Sequence, residues 1–176
     1  KEVFRQISAD LSLNTLKFSQ NLLKETNAYE LSLTEERLEG LPESTREMYA
    51  QTAKEKGKEG YIVTLQAPSM IPFMKYSRNR ELRRELYMAY NTQCTHNNEY
   101  NNLEIVKTLV NLRLRRAQLL GYATAADYVL EDRMAENCTN VYRLLHQLLE
   151  AYTPTAHQEV NEVQALAKEL EGDNFE

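Results

Sequence analysis

Tryptophan is absent, cysteine occurs twice, and five glycines and four prolines supply all the helix punctuation in 176 residues. Each shortage excludes something. Cys94 and Cys138 cannot make a disulfide scaffold and lack C-x-x-C spacing. No apolar run approaches the roughly 18 residues of a membrane span, and no basic-then-apolar leader opens the chain. Positive charge is also short. The formal net charge of −5 argues against a generic nucleic-acid binder, whose affinity rests on neutralising phosphates with Lys and Arg. Disorder is excluded too, because 27% charged residues are mixed with 42% hydrophobic ones.

What is abundant favours helix. Leu occurs 25 times against 12 for Val plus Ile, and Glu 22 times against four Asp, so helix formers outnumber strand formers. The expected class is all-α, a multi-helix array within one segment, 1–176, with one short isolated β-strand near 61–65. At this length a single domain buries about 70% of the surface its unfolded chain exposes, so a genuine core is available.

Val3, Phe4, Ile7, Leu11, Leu16, Leu22 and Leu23 recur at near-helical intervals from the first residues with no capping residue before them. The chain is therefore expected to start inside a helix. Residues 28–42 read as a loop around one helical turn, broken by Gly40-Leu41-Pro42. Glu43 to Lys56 reads as a polar helix, entered at Pro42 and left at Gly57. Gly60-Tyr61-Ile62-Val63-Thr64-Leu65-Gln66 is the β-rich run. As a lone strand it would need a pairing partner outside these 176 residues, or a symmetry mate. Residues 68–74 read as a short helical turn. A helix from about Asn79 to Thr92 places Leu82, Leu86, Ala89 and Tyr90 inward, and one from Asn102 to Leu120 carries Leu103, Val106, Leu109, Val110, Ala117 and Leu120. Thr124 caps a shorter helix through Leu130. Asn137 caps the last, with an inward face of Val141, Leu144, Leu145, Leu148, Leu149 and Tyr152 that continues through Val160, Val163, Leu166 and Leu170. Pro154 is expected to kink or break it.

No constellation of catalytic residues stands out. A helical zinc hydrolase shows two His at i and i+4 beside a Glu, and His96, His146 and His157 form no such pair. His146 and Glu150 share a helix face, but a surface contact explains them better than a metal lacking a third ligand. Ser69 has no nucleophile elbow and no nearby His. Cys94 and His96 are two apart, which points them in different directions on a helix. Arg78, Arg80, Arg83 and Arg84 among Tyr76, Tyr87 and Tyr90, and Arg113, Arg115 and Arg116, could hold phosphates. The helical wheel is expected to disperse both clusters, with Glu81, Glu85 and Glu104 as counter-charge. Asn137-Cys138-Thr139 matches a glycosylation acceptor, though a helix cap explains Asn137 better. No catalytic, cofactor-binding or metal residue is assigned.

Collinear blocks nevertheless resemble one family. Gly40-Leu41-Pro42-Glu43-Ser44, Gly60-Tyr61-Ile62-Val63-Thr64-Leu65 with Ala67-Pro68-Ser69, and Leu82-Arg83-Arg84-Glu85-Leu86-Tyr87-Met88-Ala89-Tyr90 are similar, in order, to the region upstream of the active site in peptidyl-dipeptidase and thimet-type oligopeptidases. Asn101-Asn102-Leu103-Glu104-Ile105-Val106, Arg113 to Tyr122, Ala126 to Leu130 and Met134-Ala135-Glu136-Asn137 continue the match. The Gly-Leu-Pro-Glu-Ser and Met-Ala-Glu-Asn blocks resemble the bacterial peptidyl-dipeptidase branch most.

The resemblance implies a helical zinc metallopeptidase with two lobes around a deep channel, cutting short unstructured peptides. It also implies that the zinc ligands, a His-Glu-x-x-His helix and a later Glu, lie elsewhere, since this sequence contains no such motif. The chain then reads as an excised, inactive, non-catalytic part of the channel wall, with no cofactor of its own. Its expected partners are the missing catalytic lobe and, in the parent, short peptides, with neither nucleic acid nor membrane. Surface left bare by the missing lobe predicts self-association. The location expected is cytoplasmic, with a periplasmic parent left open. The alternative is an independent helical module that binds protein or nucleic acid.

Overall fold

The computed structural model describes residues 1–172, so the last four positions of the 1–176 segment lie outside the described residues. It is mostly α-helical. In chain order come α1 (Glu2–Ala28), β1 (Leu31–Leu33), a 3-10 turn (Glu35–Arg37), α2 (Glu43–Glu55), β2 (Tyr61–Val63), α3 (Ala67–Tyr76), α4 (Arg80–Asn91), α5 (Leu103–Leu119), α6 (Ala125–Leu130) and α7 (Cys138–Glu171). Contacts divide them into two compact units, Lys1–Arg113 and Leu114–Glu176.

The helix starts follow their side chains. The Asn79 carboxamide oxygen accepts the Leu82 N–H at 3.1 Å and that of Asn137 the Asn140 N–H at 2.9 Å. Thr124 and Asp127 form a reciprocal capping box. As the spacing predicts, α1 has no side-chain cap.

The strand near 61–65 is not alone. β2 pairs antiparallel with β1, Leu31 opposite Val63, Ser32 opposite Ile62 and Leu33 opposite Tyr61. This corrects two expectations at once, the orphan strand and the loop reading of 28–42. Leu31-Ser32-Leu33 alternates buried, exposed, buried, the period-two signature, but over only three residues without a β-branched side chain. Gly60 admits the pairing. Its φ is +81°, and a Cβ there would lie 2.8 Å from the Leu33 carbonyl oxygen.

Between the sheet and helices α2 to α4 lies the main core, built on Leu31, Leu33, Leu38, Leu41, Tyr49, Val63, Leu65, Phe73, Leu82 and Leu86. The Tyr49 hydroxyl donates to the Ser69 carbonyl at 2.7 Å, and its ring packs against Phe73 with centroids 6.4 Å apart. A second cluster joins α1 to α5 through Ile7, Leu11, Ile105 and Leu109. Beside it a buried hydrogen bond of 2.9 Å runs from Asn21 to Asn102, and Asn102 donates to the Phe18 carbonyl at 3.1 Å. These bonds satisfy polar groups that burial would otherwise penalise.

Several expected inward positions face outward. Tyr90 on α4 and Leu103, Val106, Val110 and Leu120 around α5 are exposed, whereas Ile105, not singled out, is buried. On α1 Ile7 and Leu11 are buried, but Val3, Leu16, Leu22 and Leu23 are not. Residues 68–74, read as one turn, belong to the ten-residue α3, which begins at Ala67-Pro68 and accommodates Pro72. Pro154 likewise lies within α7, which is assigned as helix without interruption.

Candidate functional site

Several of the residues weighed for chemistry have structural partners. Ser69 is buried, and its hydroxyl accepts the Thr64 N–H at 2.9 Å. Cys94 is buried at φ +57°, with its N–H donating to the Glu25 carboxylate and its carbonyl accepting the Asn102 N–H at 2.8 Å. His96 instead lies 3.3 Å from the Thr92 hydroxyl. His146 packs near Tyr142, ring centroids 6.4 Å apart. Among the described residues no three His, Cys, Asp or Glu side chains are placed to hold a metal ion, so zinc has no fitting ligand set here. Asn137 is a cap, as its spacing predicts.

Burial, followed by the neighbouring Glu25 carboxylate, pushes the Cys94 thiol up to about 12 from its ordinary 9.0. A nucleophilic thiol needs the reverse. The expected outcome is that native Cys94 resists iodoacetamide at neutral pH and reacts once urea unfolds the chain. The sign of the pH effect follows by linkage. Between about pH 9 and 12 the unfolded thiol loses its proton while the folded one keeps it, so stability is full below 9 and falls as pH rises through that window. A urea midpoint that rises from pH 9 to 10.5 contradicts this.

The arginines behave differently from expectation. Arg78 turns away to Glu39 at 3.0 Å, but Arg80, Arg83 and Arg84 are not dispersed. They line one shallow cleft of about 360 Å³ with Met74, Glu81 and Tyr87. The wheel explains it, because 80, 83, 84 and 87 are i, i+3, i+4 and i+7 on α4. In the second cluster Arg116 lies over the Tyr128 ring, 5.4 Å from its centroid, and Tyr128 packs on Tyr122 at 5.3 Å.

Among the described residues α7 carries a long exposed apolar face. No residue of the 34-residue α7 is buried. Val141, Leu145, Leu148 and Tyr152 recur at i, i+4, i+7 and i+11 on one side, and Leu145, Leu148, Leu149, Tyr152, Val160, Val163, Leu166 and Leu170 are all exposed. An amphipathic helix of this kind holds its stripe for a partner surface. Periodicity predicts these side chains as one inward face; among the described residues that face is exposed instead. Among the described residues no helix is long and apolar enough to cross a membrane, and α7 also carries charged groups such as Arg143, Glu150 and Glu162.

Comparison with known proteins identifies the setting. Residues 73–176 match peptidase family M3. The chain is 36% identical over 165 residues to oligopeptidase A of Haemophilus influenzae, an alignment covering 91% of this chain and 24% of that protein. It is 34% identical over 176 residues to a probable cytosolic oligopeptidase A of Arabidopsis thaliana, covering 96% and 25%. To saccharolysin of Saccharomyces cerevisiae it is 31% identical over 167 residues, covering 94% and 22%. It thus spans about a quarter of the length of these curated relatives. With more than half of its residues inside the family match, the chain belongs to peptidase family M3.

Proposed function

We propose that this chain is the non-catalytic helical segment of a larger zinc-dependent M3 oligopeptidase, and that it forms part of the wall of the peptide-binding channel. The exposed stripe of α7, in a chain a quarter as long as its relatives, carries the reading. Such a face is stable in the parent when the remaining chain covers it. The zinc that activates water belongs to that remaining part, and so do its ligands. A rigid helical wall then contributes size exclusion, admitting flexible short peptides while barring folded proteins, and it keeps bulk water from the reacting centre. Cleavage of the peptidyl-dipeptidase type and a cytoplasmic location complete the proposal, the latter in keeping with the name of the Arabidopsis relative.

Zinc content and peptide hydrolysis, measured on the full-length product and on the 176-residue chain side by side, test this. Stoichiometric zinc and hydrolysis are expected from the full-length protein alone. Release of C-terminal dipeptides marks the peptidyl-dipeptidase type. Hydrolysis by the short chain, or a reading frame that ends without zinc ligands, overturns the assignment in favour of an independent helical module.

A further inference from the structure

We propose that the arginine cleft on α4 binds the carboxylates of acidic peptides, a subsite that resting on the peptidase reading becomes a determinant of which peptides the parent prefers. Arg80, Arg83 and Arg84 line a cleft of about 360 Å³ together with Met74, Glu81 and Tyr87, and of these Arg83 and Arg84 carry the proposal. This placement follows from their spacing, on the side of α4 away from the buried Leu82 and Leu86. Arg83 is pre-oriented, because it donates to the carbonyl of the buried Ser77. A guanidinium has five N–H donors, which leaves Arg83 others for a ligand. Arg84 is exposed and has no hydrogen-bond or ion-pair partner among the described residues. Tyr87, 54% exposed, and the half-buried Met74 supply an apolar floor for the peptide between its charged groups.

The chemistry favours carboxylate over a nucleic-acid backbone. Seven residues of helix span only about 10 Å, a length that suits one or two carboxylates held by forked donors. A phosphate strand needs a longer basic track. Glu81 on the lining offsets part of the local positive charge, and the chain as a whole carries −5. Glu81 also sets a limit on affinity, since it repels the ligand that the arginines attract.

The test uses the full-length protein and two fluorescent pentapeptides with N-methylated amides, which resist hydrolysis: one rich in Glu, the other with Gln in place of each Glu. By anisotropy the acidic peptide is expected to bind more tightly than its Gln counterpart. Arg84→Ala is expected to weaken the acidic peptide about tenfold, the scale of a lost charge-assisted pair, and to shrink the discrimination between the two. Arg84→Lys keeps charge but not the fork and should lie between; thermal unfolding of both variants reports whether either has simply lost its fold, and the Lys variant is then read alone. Glu81→Gln should tighten the acidic peptide. Equal binding of both peptides by the parent protein, unchanged discrimination in the Arg84 variants, or displacement of the acidic peptide by an equal concentration of single-stranded oligonucleotide overturns the inference. Failure of the peptidase reading shows separately, as no hydrolysis of an unmethylated neutral peptide by the zinc-loaded parent.

Discussion

In sedimentation velocity the 176-residue chain should pass from monomer to oligomer as its concentration rises from micromolar toward millimolar. The stripe of α7 sets this scale. Leu145, Leu148, Leu149, Val163 and Leu170 are between 42% and 75% exposed, so each has roughly half of the ~1.5–3 kcal/mol that full burial of such a side chain contributes still to gain. Five of them together reach about 4–8 kcal/mol, close to the lower end of the ~4–15 kcal/mol that association costs in lost freedom. Weak, concentration-dependent association is what that balance gives. Placing charge on the stripe, as in the double variant Leu145→Glu and Leu149→Glu, should return the chain to a monomer at every concentration. A wild-type chain that stays monomeric throughout contradicts the argument.

Stability should follow a different map. Phe73 is completely buried between the sheet and the helices, so Phe73→Ala removes a large side chain from a packed site and is expected to cost about 3–5 kcal/mol in urea unfolding. Leu148→Ala, on a helix with no buried residue, should cost less than about 1 kcal/mol under conditions where the chain is monomeric. The contrast is the informative part, because both are large apolar side chains on helices and only Phe73 is covered. If the two substitutions cost the same, α7 has a partner within the monomer and the unpartnered face does not exist.

Which parts of this were legible in the sequence follows from how far each signal reaches. Caps are local, and the Thr124 and Asn137 signals act within four residues, so they are legible as caps, while Asn79 is legible only as an approximate helix start. The pairing of Leu31–Leu33 with Tyr61–Val63 is nonlocal and three residues long, and nothing in a three-residue run announces its partner. Hydrophobic periodicity reports that side chains share a face but not what covers it, which is why Val141 to Leu170 read as an inward face. The arginine cleft is hidden in the sequence for a simpler reason: Arg78, bound to Glu39, stands beside Arg80, Arg83 and Arg84 and obscures their i, i+3, i+4 spacing. The expected absence of a catalytic constellation rests on the missing His-Glu-x-x-His motif, a property of the sequence itself.

Hydroxyl-radical footprinting of residues 145–152, read by mass spectrometry in the 176-residue chain and in the full-length protein, tests most directly whether the α7 stripe is a surface made to be covered. The account predicts strong modification of Leu145, Leu148 and Leu149 in the short chain at monomeric concentration and marked protection in the full-length protein. Equal modification in both would contradict it.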